Sequence, residues 1–421
     1  LWPARSARSA TTSPRRTVVT RRIVLNCRST ARVAASLRFT ARPADGVALN
    51  PEERKLLGDF CCLFPFSASV APMSARVDCR QIVAPLDRGE ARIPALVTLP
   101  SGRLLLFYDE RPAPASGNGS DFNGLTMASD LPNPNRIRWV ECTLPDEGEN
   151  APRWSTPRDL PLALPAITSD ACVGIDGDGL LHLACASTRG RVGYMDSRAD
   201  GERLQAILAW GSGPEDLQAR DITDELYSRT GADALFATSG STVTWQGAVL
   251  LPYVVRVGNH THVQVLAVRG GEIQWLSDPL VGPRSVLLDE TTLALWDGRL
   301  VANCRLQGFE GRGSGARYLA WGDGRSWSGG QLWDCEDPGC NAKQLADFFI
   351  HPHSLSSRSA GTIVRLTPPW EGNVRAEALA ALGGGEFGYS DVCVCDDEVV
   401  VVFERERGLW EVVVPRCELL P

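Results

Sequence analysis

Residues 96–107 read LVTLPSGRLLLF, two apolar runs joined by a short polar segment that contains Gly102. Neither run has the length or the period of an amphipathic helix, and glycine supplies the positive φ that tight hairpin turns require. The stretch therefore predicts a β-hairpin. The same arrangement recurs at residues 172–185 (CVGIDGDGLLHLAC), 242–253 (TVTWQGAVLLPY), 292–303 (TLALWDGRLVAN) and 392–403 (VCVCDDEVVVVF).

The spacing of these hairpins decides between two all-β architectures. Hairpins that recur roughly every 50–100 residues favour sheets repeated around an axis, because a β-sandwich usually spaces its strands more closely. Two weaker repeats, at residues 143–154 (TLPDEGENAPRW) and 321–327 (WGDGRSW), place Asp and Gly ahead of a Trp. Such a Trp could pack between neighbouring sheets. We therefore predict an all-β fold of the propeller type.

Charge divides the chain into two parts. The formal net charge of the 421 residues is −7, yet ten arginines precede the first acidic residue, Asp45. The remainder carries 33 basic and 50 acidic residues, a balance that argues against nucleic-acid binding. The basic stretch lacks hydrophobic periodicity, and the first methionine is Met73. We predict that residues 1–72 are a disordered or non-native leader and that residues 73–421 form the folded domain.

Targeting and cysteine signals are weak. Residues 56–72 are apolar, but Asp59 and Pro65 interrupt them, and no run is long enough to span a membrane. We therefore expect no membrane span and an intracellular protein, with export left open. Several of the 13 cysteines lie in apolar, strand-like runs, which favours reduced, buried thiols. The spacings Cys335-x4-Cys340 and Cys393-x-Cys395 match no common zinc site.

A set of polar residues lies at the edges of the predicted hairpins or close to them: Arg92, Arg111, Asp130, Glu290, Arg305, Arg358, Tyr389 and Glu404. Individually these are weak signals. Their motifs are Arg-Ile-Pro at 92–94, Asp-x-Arg at 109–111, Asp-Leu-Pro-Asn-Pro-Asn at 130–135, Asp-Glu at 289–290, Asp-Pro-Gly-Cys-Asn at 337–341, Arg-x-x-Gly-Thr at 358–362 and Tyr-Ser-Asp at 389–391. In order and spacing they resemble the bacterial exo-sialidases (neuraminidases) from about residue 85 to residue 410.

The resemblance implies a six-bladed β-propeller that binds a sialic acid through its carboxylate. Arg92, Arg305 and Arg358 would form an arginine triad around that carboxylate, with charge-assisted and partly bidentate hydrogen bonds. Glu404 would orient Arg92 and offset the repulsion among the cations. Arg111 would be a further arginine near the substrate.

The resemblance also assigns the catalytic residues. Tyr389 would be the nucleophile and Glu290 the base that activates it, because a neutral phenol avoids repulsion by the carboxylate on the anomeric carbon. Asp130 would be the general acid and base. It lies 19 residues after Arg111, further than expected for the family. An insertion at 116–129 would explain the distance, but Asp121 and Asp109 are then alternatives for the acid.

The function implied is that of a retaining exo-α-sialidase, which hydrolyses terminal sialic acid from glycans, glycoproteins or glycolipids. It would need no metal and no cofactor and would act as a monomer. One alternative is a sialic-acid-binding propeller without catalysis, which would not require both Glu290 and Tyr389. Another is a glycosidase for a different acidic nonulosonic sugar, which would share the arginines and differ in the pocket for the N-acyl group.

Overall fold

The computed structural model describes residues 78–113, 130–143, 153–161, 164–189, 191–283, 286–307, 315–395 and 398–419. These residues form six sheets that follow one another around a ring, a six-bladed β-propeller. The predicted fold class is therefore confirmed. The leader prediction for residues 1–72 and the insertion at 116–129 lie outside the described residues, as does Asp121.

The first three blades follow the order of the chain, except for one short strand of blade 2. Blade 1 comprises β2 (Gly89–Thr98), β3 (Leu104–Pro112), β4 (Arg136–Thr143), β5 (Arg153–Trp154) and β6 (Arg158–Asp159). Blade 2 comprises β7 (Thr168–Ile175), β8 (Leu181–Ser187), β9 (Gln205–Gly211) and β10 (Gln218–Asp221), with β12 (Gly240–Ser241) parallel to β7. Blade 3 comprises β11 (Ala234–Ala237), β13 (Thr244–Trp245), β14 (Ala248–Val257), β15 (His260–Arg269) and β16 (Glu272–Leu276).

The last blade joins the two ends of the described chain. Blade 4 comprises β17 (Leu287–Trp296), β18 (Arg299–Gln307), β19 (Ala316–Gly322) and β20 (Trp327–Asp334). Blade 5 comprises β21 (Lys343–Leu345), β22 (Phe348–Pro352), β23 (Ser359–Leu366) and β24 (Ala376–Glu386). Blade 6 comprises β25 (Ser390–Cys395), β26 (Glu398–Arg405) and β27 (Gly408–Pro415), and β1 (Arg80–Val83) pairs with β27 to complete it.

The core is divided into six main apolar layers, each between two neighbouring blades. The layer between blades 1 and 2 contains Phe107 and Leu183, and the layer between blades 6 and 1 contains Leu106 and Val402. The other four layers close the ring in the same way. Strands buried on both faces explain why the hairpin sequences are almost continuously apolar instead of alternating.

Four of the five predicted hairpins are confirmed as β2–β3, β7–β8, β17–β18 and β25–β26. In β17–β18 the two turn residues Asp297 and Gly298 both have positive φ, 46° and 71°. Two positive φ values fit a type I′ turn, which explains the Asp-Gly pair there. The prediction for residues 242–253 is only partly right: β13 pairs with β14 over two residues, and the long partner of β14 is β15.

Two helices accompany the strands in the described part of the chain. They are α1 (Thr223–Thr230), between blades 2 and 3, and the single turn α2 (Arg416–Leu419). Leu226 and Tyr227 of α1 join the apolar layer between those two blades, and Gly231 ends the helix in the left-handed conformation. Neither helix is long and apolar enough to cross a membrane.

Candidate active site

The predicted site residues come from four blades. Arg92 and Arg111 lie in β2 and β3 of blade 1, and Asp130 lies shortly before β4 of the same blade. Blade 4 contributes Glu290 in β17 and Arg305 in β18, blade 5 contributes Arg358 just before β23, and blade 6 contributes Tyr389 and Glu404 at β25 and β26. Residues up to 312 positions apart in sequence thus reach one site.

Tyr389 lies at the centre of this group and is 8 % exposed. Its Oη donates a hydrogen bond of 2.7 Å to Oε2 of Glu290, and Nη1 of Arg305 donates to the same Oη at 3.0 Å. Nη1 of Arg305 also donates to Oε2 of Glu290. The phenol, the carboxylate and the guanidinium therefore form a closed triangle of charge-assisted hydrogen bonds. A nucleophile bonded to a base that a third group orients is the arrangement covalent catalysis requires.

The other two arginines lie beside the same ring. The guanidinium carbon of Arg92 is 5.4 Å from the centroid of the Tyr389 ring, and that of Arg358 is 5.0 Å from it. Arg92, Arg305 and Arg358 therefore all lie next to Tyr389. Three guanidinium groups around one point can receive an anion such as a carboxylate.

Glu404 balances part of this positive charge. Arg92 donates to it through Nε at 3.1 Å and Nη2 at 3.3 Å, and the backbone amides of Ile93 and Tyr389 donate to it at 2.9 and 3.2 Å. Burial opposes ionisation of Glu404, but the charges of Arg92 and Arg358 outweigh it and lower the pKa of this carboxyl. Glu404 thus fixes Arg92 in a bidentate pair and stays ionised.

Arg358 differs from the other two arginines because it pairs with no carboxylate among the described residues. Its Nε is buried and has no hydrogen-bond partner in the described part of the chain. Arg92 is paired with Glu404 and Arg305 with Glu290. A half-buried cation that is not directly paired with a carboxylate is costly unless an anion joins it. Arg358 is therefore the clearest mark of an anion site in this group.

The protonation of Tyr389 follows from its surroundings. Burial and the neighbouring Glu290 carboxylate raise the pKa of Tyr389 well above its ordinary value, although Arg305 and Arg358 act in the opposite direction. The phenol is therefore neutral in the empty site. Its proton points at Glu290, the group that could accept it.

Arg111 and Asp130 form a second cluster. Arg111 is fully buried, and it donates to Asp109 through Nε at 3.1 Å and Nη2 at 2.8 Å, and to Asp130 through Nη1. The Asp130 side chain is 84 % exposed, whereas Asp109 is fully buried beneath Arg111. Asp109 therefore has no surface from which it could protonate a substrate. Arg111 itself binds protein carboxylates here, and its Nη1 is the nitrogen that donates to Asp130.

The charge state of Asp130 is opposite to the one that a resting acid needs. Desolvation favours its neutral form, but the charges of Arg111 and Arg92 outweigh that effect and lower the pKa of the Asp130 carboxyl. A proton donor works best with a pKa near the working pH. In the empty site Asp130 is thus held as a carboxylate.

Asp170 belongs to this cluster and was missed by the sequence reasoning. Its Oδ1 lies 3.5 Å from Nη2 of Arg111, and burial next to Asp109 raises the pKa of its carboxyl well above the ordinary value. Its φ is +62°, a conformation that is uncommon for residues other than glycine. The only available signal was an acidic residue directly before the apolar run of residues 171–175.

The first long strands of blades 1, 2 and 4 each carry a β-bulge at the site. The register shifts between Arg92 and Ala95 in β2, between Ser169 and Cys172 in β7, and between Leu288 and Thr291 in β17. Bulges redirect side chains and are frequent beside active sites. Here they coincide with Arg92, Asp170 and Glu290.

No group of three or more His, Cys, Asp or Glu residues in the described ranges is arranged to hold a metal ion. Cys340, which the zinc spacing included, is fully buried and packs with Ile93 and Tyr389. Cys335 and Cys340 are both thiols, and burial raises their pKa values, that of Cys340 to about 12. Desolvation thus keeps both in the neutral form.

Comparisons with known proteins support the fold. No protein-family model and no curated protein matches the chain. Solved structures do: the Hadza microbial sialidase Hz136 has a TM-score of 0.58 at 18 % identity, over 78 % of this chain and 66 % of that chain. The K499G mutant of NanB sialidase from Streptococcus pneumoniae has a TM-score of 0.60 at 12 % identity, over 83 % of this chain and 72 % of that chain.

A third match covers nearly its whole length. The intramolecular trans-sialidase from Ruminococcus gnavus has a TM-score of 0.60 at 11 % identity, over 84 % of this chain and 99 % of that chain. The chain spans just under two thirds of the length of Hz136. At these identities the comparisons establish a sialidase-like fold.

Proposed function

We propose that this protein is a retaining exo-α-sialidase that releases terminal sialic acid from glycoconjugates and uses Tyr389 as its nucleophile. The observation that carries the proposal is the position of the Tyr389 hydroxyl, 2.7 Å from Glu290 and 3.0 Å from Arg305, with Arg92 and Arg358 beside the same ring. A binding site alone has no need of a phenol bonded to a buried base.

Substrate binding rests on the three arginines. The carboxylate of the sugar would replace the missing counter-charge of Arg358 and accept further hydrogen bonds from Arg92 and Arg305. Glu404 keeps Arg92 oriented while the site is empty. The carboxylate then lies on the anomeric carbon next to Tyr389, so binding also places the reacting atom.

In the first step the Tyr389 oxygen attacks the anomeric carbon, and its proton passes to Glu290. The glycosidic C–O bond breaks, and the leaving oxygen takes a proton from Asp130. In the second step Asp130 removes a proton from water, whose oxygen attacks the same carbon. The bond to Tyr389 breaks, and Glu290 returns the proton to the phenolate. Two inversions give net retention.

Asp130 must gain a proton before the first step, since Arg111 favours its ionised form in the empty site. The sugar carboxylate offsets the charge of Arg92, which removes one of the influences that lower the pKa. Arg111 is a positioning residue for Asp130 in this scheme. Asp130 is preferred to Asp109 because its side chain is exposed.

The second candidate function is a sialic-acid-binding propeller without catalysis. The contact between Arg111 and Asp130 favours it, because a permanently ionised Asp130 could not protonate a leaving group. The binding arginines would be unchanged, whereas turnover would be absent. A glycosidase for another acidic nonulosonic sugar would be recognised by preference for a conjugate that lacks the N-acyl group.

The test is turnover of 4-methylumbelliferyl sialic acid by the full chain and by Tyr389→Phe. We expect the wild type to release the fluorophore and the variant to lose about a thousandfold or more of kcat. Tyr253→Phe is the matched control, because it removes another buried hydroxyl, one that has no hydrogen-bond partner within the described ranges. A folded wild type that binds sialic acid without turning over any sialoside would establish the binding function instead.

A further inference from the structure

A buried ion pair, Arg317 with Asp337, lies outside the set of predicted site residues. Among the described residues it has no hydrogen bond to a side chain that would contact substrate. Arg317 in β19 is fully buried, and its Nη1 donates to Oδ2 of Asp337 at 3.1 Å. The same nitrogen donates to the carbonyl of Cys340 at 3.0 Å, and Nε donates to Oδ1 of Asn303 at 2.6 Å. One guanidinium thus connects β18 with the segment that leads into blade 5.

The two residues that Arg317 connects, Asn303 and Cys340, both lie next to predicted site residues. Asn303 precedes Arg305 by two residues on β18, so the two side chains leave the strand on the same side. Cys340 packs in a buried cluster with Tyr389 and Ile93. The two contacts of Arg317 therefore hold the strand that carries Arg305 and the backbone at Cys340, against which Tyr389 packs.

Asp337 holds its own segment in a tight turn. Its Oδ1 accepts from the backbone amides of Gly339 at 2.8 Å and Cys340 at 3.4 Å, and Nδ1 of His351 lies 3.5 Å from Oδ2. Burial alone would favour the neutral acid, but Arg317 and His351 lower the pKa of Asp337 to about 2. The pair is therefore charged throughout the range in which an enzyme would work.

A simple structural role does not account for this placement. Replacing a buried ion pair by apolar residues is often neutral or favourable for stability, so stability alone gives little reason to bury one. A planar guanidinium, by contrast, fixes several acceptors in one geometry. We propose that Arg317 is a positioning residue of the active site, which sets the placement of Arg305 and Tyr389 through Asn303 and Cys340. The inference rests on the proposed sialidase function.

The test compares Arg317→Lys with wild type in the full chain. Lysine keeps the charge and loses the planar fork, so we expect the protein to fold while kcat falls about 10–100-fold and KM changes by less. The rate at which a 2,3-difluorinated sialic acid labels Tyr389 should fall by a similar factor. Asp337→Asn, which keeps the shape and removes the charge, is the second variant and should lower kcat in the same direction.

The control is His182→Gln. His182 and Asp176 form another fully buried pair, with 2.8 Å between Nε2 and Oδ2. Asp176 directly follows the last residue of β7, whereas Asp170 lies near the first. The His182→Gln substitution should lower the melting temperature without changing kcat or labelling. Folded Arg317→Lys and Asp337→Asn proteins with wild-type kcat and labelling would overturn the positioning role alone. A wild type without turnover would overturn the proposed function, and this inference with it.

Discussion

Substitution of Arg358 by methionine separates a role in binding from a role in stability. Methionine keeps an aliphatic stem of similar reach and removes the cation that has no carboxylate partner among the described residues. The Arg92 and Arg358 guanidinium carbons both lie within 5.4 Å of the Tyr389 ring centroid. They are thus at most about 10 Å apart, and at an effective dielectric constant of about 20 their repulsion is at least roughly 1.7 kcal/mol.

The other contributions to the change in the free energy of unfolding are smaller. Loss of the contact between the Arg358 cation and the Tyr389 ring costs about 0.5–1 kcal/mol, and the Glu404 carboxylate offsets part of the repulsion. The free energy of unfolding of the protein without ligand should therefore stay constant or rise by about 1 kcal/mol. Affinity for sialic acid should fall about 100-fold, because a hydrogen bond to a charged group contributes roughly 1.5–3 kcal/mol.

Thermal unfolding without ligand and calorimetric titration with sialic acid measure the two effects. Arg365→Met is the matched control, since Arg365 also lies in blade 5 and over an aromatic ring, 5.2 Å from the Phe348 centroid. Arg365 has a carboxylate partner in Asp347, so its loss should lower stability slightly and leave binding unchanged. A clear loss of stability in Arg358→Met with unchanged sialic-acid affinity would refute the anion-site reasoning.

Three further predictions concern single carboxyl groups. Glu290→Gln should keep the fold and lower kcat about 100–10,000-fold because the base for Tyr389 is lost; wild-type kinetics would contradict this. Asp130→Ala should impair hydrolysis of a sialylated galactoside far more than that of the 4-methylumbelliferyl conjugate, whose leaving group needs less protonation; equal losses would argue against Asp130 as the acid. The folded-state pKa of Asp337 is about 2 against an ordinary 3.8, so its stabilisation of about 2 kcal/mol is complete above roughly pH 4 and is lost as pH falls towards 2. Urea unfolding between pH 5 and pH 2 measures this loss, which Asp337→Asn should reduce; an unaltered pH dependence would contradict the assignment.

The hairpins could be predicted from sequence where both strands are apolar and the turn contains Asp or Gly. The same pattern does not predict blade 5, because its third and fourth strands, β23 and β24, form through pairing with neighbouring strands and not through their own sequences. Residues 377–382 (EALAAL) consist largely of good helix formers, yet they lie in β24, paired with β23. Tertiary pairing overrides helix propensity there. Helix α1 was also missed, since it owes its position to the apolar layer between blades 2 and 3.

The site residues likewise divide into those that could be predicted from the sequence and those that could not. Arg92, Arg305, Arg358, Tyr389 and Glu404 could be named because short motifs surround them, and the structure brings the other four together around Tyr389. Asp170 and Arg317 could not. Asp170 acquires its place from a bulge and a left-handed backbone, and Arg317 from burial between segments. Neither property leaves a pattern in the neighbouring residues.

Strand β1 has a consequence for how the molecule is made. It spans only Arg80–Val83, and its partner β27 lies more than 300 residues later, with Arg80 bound to Glu411. During synthesis on a ribosome, β1 has no partner strand until β27 has emerged. Until then the ring is open, and strand edges and the apolar surface between blades 6 and 1 stay uncovered. Assembly should therefore be slow, and most prone to misassociation before β27 pairs with β1.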